Sequence, residues 1–164
     1  MNVIFLGIDG VLATLRELLT NKVKFQKNNL WAEQINVNYP FDYGCVTILN
    51  QIIDVTDAEM IITSEWKEKH SLNEIKIAFQ KNGIIKSPID ITSTHVNDDI
   101  TLNRFNEINE YIQNNEVKNW VAIDTLNILK YLPLHTDRIF ITEVYNGLKQ
   151  NQLKERVISR LTIN

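Results

Sequence analysis

The feature that most constrains the fold is an alternation of short apolar segments with longer amphipathic ones. The first apolar segment, Val3 to Leu6, is rich in strand formers, which is typical of a central parallel strand covered on both faces. The others are Met60–Ile62, a weak third segment at Ile84–Ile85 or at Ile89 and Ile91, then Trp120–Ile123 and Ile139–Ile141. This alternation predicts a three-layer α/β/α, doubly wound fold with a five-stranded parallel sheet.

The segments between the strands carry the signals of helices. Apolar residues at helical spacing predict a helix from Val46 to Val55. The capping box Ser71–Glu74 begins a second helix, and Gly83 suits the left-handed position that ends it. We expect Thr101 to cap a third helix, and a last helix to cover about Asn151 to Leu161. These helices follow the first, second, third and fifth strands, and the alternation predicts one after the fourth strand as well.

Length and composition fit one globular domain covering residues 1–164. The apolar share of 44% and the charged share of 23% exclude disordered and fibrous classes. The formal charge of −3 gives no overall field that attracts nucleic acid or an anionic membrane. The single cysteine, Cys45, fits a reducing compartment, and no apolar run approaches the roughly 18 residues of a membrane span. We therefore expect a cytoplasmic monomer without a membrane partner.

The segment 13–44 does not fit the alternation. It is long for a connection between a strand and a helix, and such connections are often lids or binding loops. It contains aromatic and basic residues, among them Phe25, Trp31, Tyr39, Phe41 and Tyr43, with Lys22, Lys24 and Lys27. Because the segment leaves a strand at its carboxyl end, it is interpreted as a flap or minimal cap over the site. The alternative, that its aromatic rings only pack on the domain, stays open.

Polar residues follow the strands at the sheet edge where ligands bind in such folds. They are Gly7 and Asp9 after the first strand, Thr63 and Ser64 after the second, and Asp124 and Thr125 after the fourth, with Arg104 on the helix before the fourth. Acids, hydroxyls and a guanidinium at one edge match the chemistry of a phosphate and Mg²⁺ site. The same residues could instead cap helices, form turns or face solvent, and residue types leave both interpretations open.

The segment Val3–Leu12 resembles the first motif of the haloacid-dehalogenase-like (HAD) superfamily, an apolar strand followed by Asp-x-Asp-Gly-Val/Thr-Leu. Gly7, at the first aspartate, is the one departure from that motif. Nearly the whole chain is similar to the HAD domain associated with "Swiss Army Knife" RNA-repair proteins. The matching blocks are Cys45–Asn50, Met60–Lys67, Asn103–Ile108, Trp120–Thr125 and Asn146–Leu148. The resemblance covers nearly the whole chain in order and implies a Rossmann-like HAD fold.

The resemblance also implies an activity, that of a Mg²⁺-dependent phosphohydrolase acting on phosphomonoesters. In the family, an aspartate at the position of Gly7 attacks the phosphorus and becomes a phosphoaspartate. The acid matched by Asp9 protonates the leaving oxygen and later activates water. The hydroxyl matched by Thr63, with Ser64 beside it, and the cation matched by Arg104 would stabilise the transferred phosphoryl group.

The two departures from the family pattern both remove carboxylates. The resemblance implies a Mg²⁺ site formed with Asp9, Asp124 and an acid at the position of Thr125, which carries none. We therefore expect weakened Mg²⁺ binding, because Mg²⁺ depends on charged oxygen ligands. Gly7 cannot attack phosphorus, and deleting a covalent nucleophile removes many orders of magnitude in rate. The chain as written is expected to be inactive.

Three interpretations of the function stay open from the sequence. The chain is an active or residually active phosphohydrolase, an inactive HAD domain that binds a phosphorylated ligand or partner, or an engineered variant of an active phosphatase. The expected ligand is a phosphorylated small molecule, a nucleotide or a nucleic-acid end. Of the neighbouring residues, Glu65 is interpreted as a helix-start carboxylate, His70 as a surface residue, and Trp66 and Cys45 as packing residues. His95 and His135 are given no role.

Overall fold

The structure, a computed structural model, describes residues 1–20 and 40–163 of the chain. Its strands are β1 Asn2–Leu6, β2 Glu59–Ile62, β3 Asp90–Ile91, β4 Asn119–Asp124 and β5 Ile139–Ile141. Its α-helices are α1 Leu15–Thr20, α2 Tyr43–Thr56, α3 Trp66–Lys69, α4 Leu72–Lys81, α5 Ile100–Asn114 and α6 Leu153–Thr162. Two short 3-10 helices lie at Ile128–Lys130 and Gly147–Lys149.

All five strands are parallel, and their order across the sheet is β3-β2-β1-β4-β5. The central strand β1 pairs with β2 on one side and β4 on the other, so that Leu6 lies opposite Ile62 and Ile123. The strand order therefore reverses at β1. In open α/β sheets, ligands bind at the carboxyl ends of the strands at such a switch point. The predicted α/β class with a five-stranded parallel sheet is confirmed.

Strand β1 is buried on both faces, as its continuous apolar run predicts. Successive side chains of a strand point to opposite faces. Ile4 and Leu6 belong to the larger core cluster, which includes apolar residues of α2, α4 and α6. Val3 and Phe5 belong to the second cluster, which includes Ile108 of α5. Helices therefore cover the sheet on both sides and hold the end of β1 in a fixed place.

The helix boundaries confirm some sequence predictions and correct others. The capping box is present, with the Ser71 side chain accepting from the Glu74 amide, and Gly83 has a φ of 81°. The prediction for Thr101 is wrong. The N-cap of α5 is Asp99, whose carboxylate accepts hydrogen bonds from the amides of Thr101 and Leu102 at 2.9 and 3.1 Å. The helix therefore begins at Ile100, two residues earlier than a cap at Thr101 would place it.

Three further predictions change at the edges of the sheet. The third strand is Asp90–Ile91, so the alternative at Ile84–Ile85 is wrong. The connection from β4 to β5 contains the 3-10 helix Ile128–Lys130 instead of an α-helix, and α6 begins at Leu153 rather than Asn151.

None of the helices in residues 1–20 and 40–163 is long and apolar enough to cross a membrane.

Part of the predicted flap, 13–44, can be placed. It contains α1 at its start, and Phe41 near its end is buried. The ring of Phe41 packs 5.8 Å from the ring of Trp66 and 5.5 Å from that of Phe79, measured between centroids. Phe41 therefore fits the packing alternative. Residues 21–39 lie outside the described residues, and they include the other aromatic and basic residues named for the flap except Tyr43. A flap over the site stays a prediction.

Candidate functional site

A tight turn after β1 places Asp9 at the carboxyl edge of the sheet. The carbonyl of Ile8 accepts hydrogen bonds from three successive amides, those of residues 11–13, at 2.9 to 3.1 Å. Gly10 has a φ of 71°, and a Cβ there would lie 2.5 Å from Cγ2 of Thr125. Only glycine fits this position without strain or a clash. The glycine of the Asp-Gly pair thus allows the turn to lie directly against the end of β4.

A small cleft of about 70 Å³ opens at this edge, between the ends of β1 and β4. It is far smaller than the roughly 300 to 1,000 Å³ of most small-molecule pockets, so it suits one small polar group. Its lining residues are Gly7, Ile8, Asp9, Ser64, Glu65, Ile100, Arg104, Asp124, Thr125 and Leu126. All the predicted site residues except Thr63 line this cleft. Thr63 lies behind it and accepts a hydrogen bond from Arg104, which does line it.

Arg104 is the centre of the site, buried with only 4% of its surface exposed. Its Nη1 donates to the Asp124 carboxylate and, at 3.4 Å, to Oγ1 of Thr63. Its Nη2 donates to Oε1 of Glu65 at 3.0 Å, and its Nε donates to Oε2 of Glu107 at 3.3 Å. All three guanidinium nitrogens therefore already have acceptors. The alternative that Arg104 is a solvated helix residue is wrong.

A second cation, Lys67, extends this network away from the cleft. Its Nζ lies 2.6 Å from Oε2 of Glu107, and both side chains are buried. The same ammonium group donates to Oγ1 of Thr92 and to the carbonyl of Ser93, each at 2.9 Å. Glu107 thus binds Lys67 and Arg104 together. These contacts connect the segment after β2 to α5 and to the segment after β3, and they hold Arg104 in place.

Asp9 faces the cleft and is bound by one indole. Nε1 of Trp66 donates to both Asp9 oxygens, at 3.1 and 3.3 Å. Burial raises the pKa of Asp9 to about 6; the charges of Glu65 and Asp124 raise it further, while Trp66 and Arg104 oppose the shift. A carboxyl group that titrates near neutral pH can act as a general acid or base. The raised pKa of Asp9 therefore suits the acid–base role that the resemblance implies for this side chain.

Asp124 is fixed at the end of β4 beside Gly7. It is buried, with Oδ2 bound to Arg104 and Oδ1 accepting from the amide of Leu126 at 3.1 Å. A Cβ added to Gly7 would lie 3.1 Å from Cγ of Asp124. The carboxylate of Asp124 therefore takes up part of the space that a side chain at position 7 would need.

The structure adds residues that the sequence analysis did not assign to the site. Glu65 stands at the N-cap of α3, as expected for a helix-start carboxylate, but its side chain makes no capping bond and pairs with Arg104. Glu107 was missed, although its spacing of three residues from Arg104 on one helix permits the ion pair. The packing interpretation of Trp66 is confirmed. Cys45 is also buried, and burial raises the pKa of its thiol to about 11, as expected for a packing residue.

The donors present do not fit a Mg²⁺ site. Among residues 1–20 and 40–163, no group of three or more His, Cys, Asp or Glu side chains is placed to hold a metal ion. Mg²⁺ demands near-octahedral oxygen ligands. Asp124 is instead paired with the guanidinium of Arg104, Asp9 is bound by Trp66, and Thr125 brings no carboxylate. HAD domains in general use Mg²⁺, but in this cleft Asp124 and Glu65 are paired with the guanidinium of Arg104.

The fold and the site together define a HAD-like protein, in the phosphohydrolase class. The defining features are the parallel sheet, the acid-bearing turn after β1, the hydroxyls after β2 and the buried arginine beside the acid of β4. A family model described as the HAD domain in Swiss Army Knife RNA repair proteins matches residues 3–153, and the chain belongs to this family. The resemblance drawn from the motifs is thereby confirmed. Comparison with curated proteins and with solved structures gives no match for this chain.

Proposed function

We propose that this HAD domain binds the phosphoryl group of a phosphorylated ligand and does not hydrolyse it. The observation that carries the proposal is Gly7, which stands at the nucleophile position in a cleft that otherwise keeps its polar residues. The remaining acid, hydroxyls and arginine match the groups with which the family binds phosphate. A domain that keeps the binding groups and lacks the attacking group is expected to bind without turnover.

Hydrogen-bond donors around the cleft support the binding part of the proposal. Arg104 supplies a buried guanidinium, which stays charged and binds phosphate oxygens well; its Nη2, paired with the partly exposed Glu65, is the nitrogen available to a ligand. Ile8, Asp9 and Glu65 line the cleft, and their amides donate to no acceptor within residues 1–20 and 40–163. Successive free amides in a turn are a common way to bind an anion. Backbone and side chain would thus hold the phosphoryl oxygens together.

The other carboxylates of the cleft do not replace the missing nucleophile. Asp124 has one oxygen bound to Arg104 and the other to the amide of Leu126. Asp9 is two residues further along the chain and is bound by Trp66. A displacement of about 1 Å from the attacking geometry can reduce the rate by about a hundredfold. A covalent route through either acid is therefore not expected.

The cleft size limits which part of the ligand enters. Because it holds only a small polar group, the phosphoryl group would enter and the rest of the ligand would lie outside, next to Ile100 and Leu126. A nucleotide, a nucleic-acid end and a phosphorylated small molecule all present such a terminal phosphate. The domain would then act as a module that recognises this terminal group.

The test combines binding and turnover on the same ligands. Isothermal titration calorimetry with a nucleoside monophosphate and a 3′-phosphorylated oligonucleotide should show binding, and phosphate release should stay at background. Arg104→Lys, which keeps the charge and loses the planar fork, should weaken binding, whereas Arg16→Lys on the exposed face of α1 should not. Robust turnover by the unaltered chain, or no binding to any of these ligands, would contradict the proposal.

A further inference from the structure

Two carboxylates already bind the nitrogens with which Arg104 would hold a phosphoryl group. Nη2 donates to Glu65 at 3.0 Å and Nη1 donates to Asp124, and all three residues line the cleft. A guanidinium binds carboxylate and phosphate oxygens with the same planar geometry. Acids of the chain itself therefore bind the guanidinium of Arg104 in the way that an incoming phosphate would bind it.

The two acids differ in how firmly they are held. Asp124 is buried and its second oxygen accepts the amide of Leu126. The side chain of Glu65 is 36% exposed, and its second oxygen accepts no hydrogen bond within residues 1–20 and 40–163. Burial also raises the pKa of Glu65, so its charged form is held less favourably than in water. Glu65 is the acid that can leave Arg104 most easily.

The charge of the cleft makes this exchange necessary. Asp9, Glu65 and Asp124 line it with a single cation, Arg104, which leaves an excess of negative charge when the acids are ionised. Like charges placed together in a binding site oppose association by several kcal/mol. A phosphoryl dianion therefore cannot share Nη2 of Arg104 with an ionised Glu65 at 3.0 Å. One of the two anions must leave.

We propose that Glu65 is an internal competitor for the phosphoryl site, bound to Arg104 in the empty cleft and displaced when the ligand binds. This inference rests on the proposed function and assigns to Glu65 control over the affinity of the site. Arg104 keeps Asp124, Thr63 and Glu107 as acceptors after Glu65 has left. The orientation of the guanidinium therefore does not depend on Glu65.

The opposite role, in which Glu65 positions Arg104 for the ligand, gives the opposite result on substitution. Removing a competitor strengthens phosphate binding, whereas removing a positioning group weakens it. Glu68 offers a matched control, because it lies three residues away on α3, carries the same charge and is exposed. Glu68→Gln changes the net charge as Glu65→Gln does, without altering a contact to Arg104.

The experiment titrates inorganic phosphate into the unaltered protein, Glu65→Gln, Glu65→Ala and Glu68→Gln by isothermal titration calorimetry. Circular dichroism checks that each variant is folded. Both Glu65 variants should bind phosphate about tenfold more tightly or better, given the cost of like charges in a site. Glu68→Gln should bind like the unaltered protein. The thermal midpoint in excess phosphate should rise most for the Glu65 variants, by mass action.

The outcomes separate this inference from the function on which it rests. If the unaltered protein binds phosphate and both Glu65 variants bind it equally or more weakly, the role of Glu65 is overturned and the proposed function stands. An equal gain in Glu68→Gln also overturns it, because the effect would then come from net charge alone. No phosphate binding by any of the four proteins overturns both.

Discussion

The carboxylate of Asp124 lies against the α-carbon of Gly7, so that a Cβ at position 7 would be 3.1 Å from Cγ and 3.2 Å from Oδ2 of Asp124. Asp124 cannot move freely, because Arg104 and the amide of Leu126 bind its two oxygens. Position 7 and the arginine–aspartate pair are therefore coupled in this structure. A side chain at position 7 requires Asp124 to shift by a few tenths of an ångström, and such a shift strains its bond to Arg104.

Adding a side chain at Gly7 should destabilise the fold. Gly7→Asp and Gly7→Asn should each lower the free energy of unfolding by about 1 to 3 kcal/mol, the usual cost of overpacking. Gly7→Asp should lose more, because it adds a negative charge beside Asp124. Urea denaturation of the two nearly isosteric variants measures both costs: the loss in Gly7→Asn gives the cost of overpacking, and the further loss in Gly7→Asp gives the cost of the added charge. Unchanged stability in both would show that Asp124 adjusts freely.

Adding Thr125→Asp to Gly7→Asp should create a response to Mg²⁺. The double variant has two more carboxylate ligands at the edge, and an ion that binds only the folded state raises the thermal midpoint. The unaltered chain, whose Asp124 is held by Arg104, should shift less. The measurement is the thermal midpoint with and without millimolar Mg²⁺. Equal shifts in all proteins would mean that these positions are not involved.

Removing the cation of the buried network should be strongly destabilising. Arg104→Met leaves Asp124 and Glu107 buried without their shared partner. Breaking a buried ion pair by removing one side costs about 3 to 5 kcal/mol. Arg16→Met, at an exposed position of α1, should change the free energy of unfolding by no more than about 0.5 kcal/mol. A loss below about 1 kcal/mol for Arg104→Met would indicate that solvent screens the network.

The sheet and the position of the cleft could be predicted because they depend on local patterns and one topological rule. The run Val3–Leu6 is apolar without interruption because β1 is buried on both faces. Parallel strands bring their carboxyl ends to one edge, which places Asp9 near Asp124 without further information. The third strand was ambiguous because β3 pairs only two residues at the sheet edge, too few to give a periodic pattern.

The ion pairs of the cleft could not be predicted from spacing. Glu65 stands before a short helix, where an acid is usually a capping residue, and its partner Arg104 is 39 positions away. Only the packing of α5 against the sheet brings the two together. Likewise, Lys67 and Glu107 come from separate elements. Sequence reasoning identified the residue types of a phosphate site, but the contacts that satisfy the arginine are tertiary.

Glycine at position 10 should be required by both its conformation and its surroundings. Gly10 and Gly83 share a positive φ, of 71° and 81°, but a Cβ would clash with Thr125 only at Gly10, since nothing lies within 4 Å at Gly83. Gly83→Ala should cost about 1 kcal/mol from backbone strain alone. Gly10→Ala should cost at least about 1 kcal/mol more, because overpacking adds to strain. Equal losses in thermal denaturation would show that the turn moves away from β4.

The stability of the protein should depend on the ionisation of Asp9. Burial raises its pKa in the folded protein to about 6, above the ordinary value of 3.8. Between these values the folded state binds more protons than the unfolded state, so stability falls as the pH rises through this window. This difference in pKa lowers the free energy of unfolding by roughly 3 kcal/mol, and the full loss occurs only above the pKa of the folded state.

Asp9→Asn should remove this penalty, because the amide cannot ionise and its oxygen can still accept from Nε1 of Trp66. At about pH 7.5 the variant should be more stable by up to roughly 3 kcal/mol, and the advantage should vanish below about pH 4, where Asp9 is protonated in both states. Asp54→Asn, at an exposed position of α2, should show no such trend. Urea denaturation across this pH range provides the measurement. A gain that is constant with pH, or a loss at neutral pH, would show that the Asp9 carboxylate is not held at an energetic cost in the folded state.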